Sequence, residues 1–164
     1  MDQDKKQQQQ DLLASLVQEL RQTERSAEVH GAREARRLRD ATPARALEAV
    51  VAHAARVNHM LPAFIAREGL SRGRLGRLVG DVFSIVRQAI LDRVLDEERS
   101  YRATLVGLRH GVDLVRMIRH VADASGRVEI GGFCTRWLDE REPLVADAEH
   151  AMSWFAHHPA AALA

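Results

Sequence analysis

The side chains that could bind or transform something sit at helical spacing within apolar lines. Glu24 falls in the line Leu13, Val17, Leu20, Glu24, Ala27, Gly31. His53 falls in the line Ala46, Val50, His53, Val57, Met60, Phe64. Glu97 and Glu98 flank the line through Val94, Tyr101 and Leu105, and near the C-terminus Asp147 and His150 stand three residues apart. Carboxylates and imidazoles are ligands for iron, manganese and zinc. Carboxylate-bridged di-metal bundles project Glu from two helices and Glu-x-x-His from two others into a shared centre. Glu24, His53, Glu97, Glu98 and His150 are therefore the candidate metal ligands, with iron or manganese as the ion. A buried carboxylate without a partner costs several kcal/mol, so the alternative at each position is an ion pair with arginine at a helix edge. The second helix has no Glu-x-x-His, because Glu48 and His53 are five apart, so the motif set is incomplete.

A second candidate is an anion site. Arg67, Arg72, Arg74 and Arg77 crowd the stretch around GLSRGRLGRLVG, where two helices would meet. Such a cluster can take phosphate or another anionic partner, or it can be a solvated hinge paired with acids of the last helix. The glycines there match neither the phosphate-binding loop nor the dinucleotide fingerprint. His110, Asp113, Met117 and His120 form a further line, on the flank of the apolar face. The single cysteine, Cys134, lies on an apolar line and reads as core.

These residues need helices to position them. Apolar residues recur at three and four from residue 11 to Leu38, with a small-residue half at Ala27, Gly31 and Ala35 suited to close approach of a neighbour. Thr42-Pro43 restarts the chain with an N-cap hydroxyl and a proline in the first turn, and Gly69 ends the second helix. From Leu75 to Ala124 nothing forces a stop, yet one helix would be about 75 Å long at ~1.5 Å per residue. A break is expected between Arg87 and Ser100, with a short extra or kinked helix near 72–90. A long inner helix follows, containing the Gly107/Gly111 pair and ending at Ser125-Gly126. The last helix runs from near Val128 to His158, bent by Pro143. Residues 1–10 read as a disordered polar tail, 11–158 as one helical domain and 159–164 as a frayed end. The fold expected is all-α, an antiparallel four-helix bundle.

The order of elements, two long helices, a short crossover and two more long helices, resembles the ferritin-like bundles of the small bacterial stress-associated kind. The stretch DEERSYRATL resembles their acidic, tyrosine-containing inner helix. The resemblance covers residues 11–157. It implies a ferritin-like bundle and metal positions at Glu24, at Glu97 or Glu98, and at Asp147 or His150. That family also contains bundles without metal, and fold alone does not confer activity.

Bulk properties narrow the partners. The net charge is +1, but the sign is uneven: residues 1–20 are net acidic, 21–119 net basic and 120–164 net acidic. That pattern fits a final helix packed beside basic ones. Aromatic residues make up 4%, too few for single-stranded nucleic-acid stacking platforms, and no helix-turn-helix spacing appears. No apolar run nears the ~18 residues of a membrane span. The expectation is a cytoplasmic bundle that acts mainly by association with itself, without a complete catalytic site. A metal-dependent oxidase or storage bundle and a basic adaptor are the alternatives. Trp154, His150 and His157 share a face that suits the associating surface.

Overall fold

The computed structural model describes residues 2–39, 41–70 and 96–162. Four long helices are present among them: α1 (Asp2–Leu38), α2 (Thr42–Arg67), α3 (Glu97–Ala124) and α4 (Val128–His150). Two short ones follow, α5 (Ser153–His157) and α6 (Pro159–Ala162). No strand occurs among the described residues. The expected extra or kinked helix near 72–90 lies outside the described residues, as does most of the interval in which a break was expected.

The helices form because each carries one apolar stripe that needs cover. On α1 that stripe is Leu13, Val17, Leu20, Ala27, Ala35 and Leu38. On α2 it is Leu47, Val50, Ala54, Val57, Leu61 and Phe64. On α3 it is Tyr101, Leu105, Leu108, Val115, Ile118 and Ala122, and on α4 it is Ile130, Cys134, Trp137, Leu138, Val145 and Ala148. All are buried. Helix α1 packs on α2 and α3, and α4 packs on α2 and α3, which closes a four-sided bundle.

Cross-helix contacts fix the directions. Glu28 meets Asn58, Glu34 meets Ser100 and Glu19 meets His110, so α2 and α3 both run against α1. Arg109 meets Glu149 and Arg116 meets Glu142, so α4 runs against α3. Helices α2 and α3 therefore run parallel on one diagonal. The end of α2 lies beside the end of α3, where Arg127 reaches the Glu68 carbonyl, while α3 starts at the opposite end. That is a bundle with one crossover between its second and third long helices.

Two glycines close the shared end. Gly69 and Gly126 both take φ of 68°. Leu70 N–H donates to the Ile65 carbonyl and Gly69 N–H to Ala66; Arg127 N–H donates to Ala122 and Gly126 N–H to Asp123. Both ends are Schellman turns, which favour glycine because a side chain is strained at that φ. The small half of α1 also has its use. A Cβ on Gly31 would lie 2.8 Å from Val51 Cγ2, so α2 approaches closely only because none is there.

Three expected boundaries shift. Helix α1 begins at Asp2 instead of following a ten-residue tail, since the Gln and Lys residues of that stretch favour an exposed helix and its acids lie in the first turn. The N-cap of α2 is Ala41, with no side-chain cap, and Thr42 is already helical. The last long helix stops at His150 instead of running to His158. There the Tyr101 hydroxyl donates to the Ala148 carbonyl at 2.7 Å, and Met152 N–H turns to Glu149. A helix end leaves its last carbonyls without partners, and Tyr101 satisfies one of them from inside the core. No described helix is long and apolar enough to cross a membrane.

Candidate functional site

The bundle centre holds three polar side chains from three helices. Glu24 stands where the α1 stripe passes the middle of the bundle, His53 occupies the same level of α2, and Arg141 projects inward from α4. Each is at most 1% exposed. Arg141 Nη2 donates to Glu24 Oε2 at 2.6 Å, and Arg141 Nε donates to His53 Nδ1 at 2.9 Å. The guanidinium also lies over the Trp137 ring, 4.8 Å from its centroid, and the His53 ring meets Trp137 edge-on at 5.8 Å. An arginine fork can serve two acceptors at once, so one side chain ties α1, α2 and α4 together.

The geometry fixes the imidazole. Arginine has no lone pair to offer, so His53 Nδ1 must be the acceptor and the ring proton sits on Nε2. Burial, followed by the Arg141 charge, pushes the His53 pKa down to about 4, so His53 is neutral near pH 7. Its Nε2 lies 3.4 Å from Glu140 Oε2, which also accepts from Arg56 at 3.2 Å. Burial raises the Glu24 carboxyl, against the opposing pull of Arg141. Burial likewise lowers the Arg141 pKa, opposed by Glu24. The Trp137 indole favours the charged form of Glu24, but neither Trp137 Nε1 nor Glu24 Oε1 makes a hydrogen bond of ordinary geometry.

Of the five candidate ligands, the structure brings two together, and it does so through a cation. Glu24 and His53 meet across Arg141, which occupies the space between them. Glu97 and Glu98 sit in the first turn of α3, toward the end of the bundle. Glu98 pairs with Arg102 on its own helix, and Glu97 lies close enough to Glu34 to raise its pKa. His150 is exposed at the end of α4, where its carbonyl accepts from Ser153, and Asp147 is exposed on the same turn. Among the described residues no group of three or more His, Cys, Asp or Glu converges as a metal site. An ion placed between Glu24 and His53 would face a guanidinium at hydrogen-bond distance from both. These side chains do not fit a metal centre.

A second buried acid, Glu34, lies one level away. Its Oε2 accepts from the Ser100 hydroxyl at 2.6 Å, while Oε1 has no partner. Burial raises its pKa, the Ser100 bond opposes this, and the Arg37, Glu97 and Arg33 charges act more weakly. Cys134 is buried and its thiol is pushed up to about 12, so it is unreactive core.

The anion cluster falls mostly outside view: Arg72, Arg74 and Arg77 lie outside the described residues. Arg67 stacks on Phe64 at 5.3 Å and pairs with Glu68 at 3.3 Å. Trp154 is only part-exposed. It stacks on His158 at 4.0 Å and against Phe155, while His150 and His157, which were expected to share its face, are exposed.

Sequence reasoning missed Arg141, the residue on which the centre depends. The signal was present: Arg141 stands four after Trp137 and four before Val145, on the line that is buried. No protein-family model, curated protein or solved structure matches the chain.

Proposed function

We propose that this chain is a cytoplasmic ferritin-like bundle in which an arginine stands where metal-binding bundles of that type hold ions, and that it works by pairing with a second copy of itself. The single crossover between parallel α2 and α3 is the helix order of ferritin-like bundles. Arg141 engages both inward ligands, which argues against redox or storage chemistry at the centre. The pairing reading rests on the outer face of α3.

Along that face stand Ala103, Val106, His110, Asp113, Met117 and His120, within about 100° of one another at ~100° per residue. Val106 and Met117 are 55% and 46% exposed, large apolar side chains in water. The order is self-complementary. An antiparallel copy of α3 centred between His110 and Asp113 sets Val106 against Met117 of the second copy, and His110 against its Asp113. The same register sets Ala103 against His120. This is what a two-fold interface requires, one patch meeting itself. Gly107, at the edge of the patch, has open space where a Cβ would be, so it does not obstruct the approach.

Analytical ultracentrifugation tests the reading. The chain is expected to sediment as a dimer at micromolar concentration. The double substitution Val106→Glu/Met117→Glu should weaken dimerisation by at least ~100-fold, with helicity unchanged because both side chains are already half in solvent. A wild-type chain that stays monomeric at high concentration would overturn the proposal, as would a double variant that dimerises normally.

A further inference from the structure

We infer that the groove on the outer side of His53 binds a small organic monocarboxylate with an apolar body. The groove lies between α2 and α4, has a volume of about 170 Å³, and is lined by His53, Arg56, Val57, Met60, Phe133, Arg136, Trp137 and Glu140. Neither the pairing face nor the buried side of the Glu24–Arg141–His53 centre is part of it, so the inference stands apart from the proposed function.

The charge arrangement selects the ligand. Arg56 and Glu140 face each other across the groove at 3.2 Å and cancel. His53 is neutral, and its Nε2 lies 3.4 Å from the same Glu140 oxygen. Arg136, one turn before Glu140 on α4, makes no ion pair among the described residues, in keeping with the poorer pairing of a base that precedes its acid by four. Among the described residues the groove therefore has one uncompensated positive charge, a guanidinium fork that can grip a carboxylate through two bonds. One negative charge balances it, whereas a cation would be repelled.

The floor selects the rest of the molecule. Val57, Phe133 and Trp137 are buried beneath the groove, and Met60 stands at its mouth, 47% exposed. A flexible thioether beside stacked aromatic rings adapts to flat or branched apolar groups; the Phe64 and Phe133 rings stack at 4.6 Å just behind. At a liquid share of ~30 Å³ per water, the volume equals roughly five or six waters. That accommodates a single aromatic ring or a short aliphatic chain, not a nucleotide or a fatty acid of membrane length.

Benzoate is a suitable probe, and the protein carries its own control. Its two tryptophans are Trp137, in the groove wall, and Trp154, stacked on His158 at the C-terminal end. In a nitrogen-edited NMR titration of the full chain, the Trp137 indole signal should shift and saturate with a Kd of roughly millimolar order, as expected for so few atoms. The Trp154 signal should stay in place. Neutral benzamide and cationic benzylamine should bind at least ~10-fold more weakly. Arg136→Ala should weaken benzoate about 10-fold without changing the melting temperature, since the side chain is exposed. Glu140→Gln, which frees Arg56, should tighten it. Equal binding of benzamide, undiminished binding to Arg136→Ala, or no saturable shift of Trp137 would each overturn the assignment. Acetate or phosphate matching benzoate would overturn the apolar half of it.

Discussion

Two layers of the bundle bury a glutamate from α1, and they accommodate it in different ways. In the middle layer Glu24 is met by Arg141, which also holds His53. In the end layer Glu34 accepts from the Ser100 hydroxyl under the weaker pull of the Arg37 and Arg33 charges, and in both layers the second carboxyl oxygen has no hydrogen-bond partner. Both carboxyls are pushed up by burial. The middle layer keeps a charged network, in which every member depends on the others. In the end layer the acid is held by a neutral hydroxyl, and burial outweighs that bond in raising its pKa. A buried acid by itself is therefore not evidence of a site; what matters is whether something inside the core is committed to its charge.

The largest separation between the layers should come from removing the cation. Arg141→Met leaves Glu24 buried without a partner and His53 without its donor, and should cost about 3–5 kcal/mol in a denaturant titration. The double variant Glu24→Leu/Arg141→Met should recover most of that loss, because uncharged residues of similar volume replace a costly pair. A loss below ~1 kcal/mol in the single variant would mean the network carries little.

Acid should act next. His53 binds its proton more weakly folded than unfolded, so between pH 6.5 and about 4 the unfolded chain holds more protons. Stability contributed by neutral His53 is thus present above pH 6.5 and lost as pH falls toward 4. The shift corresponds to about 3 kcal/mol at ~1.4 kcal/mol per unit. His53→Gln keeps an acceptor for Arg141 but cannot titrate, so its stability should fall less over that window. Parallel curves for the two proteins would show that His53 does not set the acid response.

The smallest effect belongs to the end layer, with the opposite sign. Glu34 holds its proton more tightly folded than unfolded, so its contribution declines as pH rises above the ordinary carboxyl value of 4.5. Glu34→Gln keeps the shape and the acceptor for Ser100. It should change stability by no more than about 1 kcal/mol at pH 7, in the stabilising direction. A substantial loss would show that the ionised carboxylate is needed there and that the two layers are alike after all.

How much of this could be read in the residues depends on the interaction concerned. Apolar spacing located all four long helices, and Gly69 and Gly126 marked two ends, because these signals are local. Glu24 and His53 were readable as inward-facing for the same reason. Their partner was not, because pairing across 117 positions depends on helix phase, and an arginine among α4's charged neighbours looks like surface until that phase is known. The end of α4 was hidden for a related reason. No residue near His150 forbids a further turn, and the stop depends on a tyrosine hydroxyl arriving from α3. The single-crossover order was suggested by segment lengths, but only contacts such as Glu34 with Ser100 fix which helices run together.

A centre filled by arginine also changes how the fold answers to its surroundings. A bundle held by a bound ion gains stability with the logarithm of free ion concentration and gives it up to a chelator, by mass action. Arg141 is attached to the backbone, so its effective concentration at Glu24 is fixed by the chain itself. Its hold on the three helices should be the same whether metal is scarce or abundant.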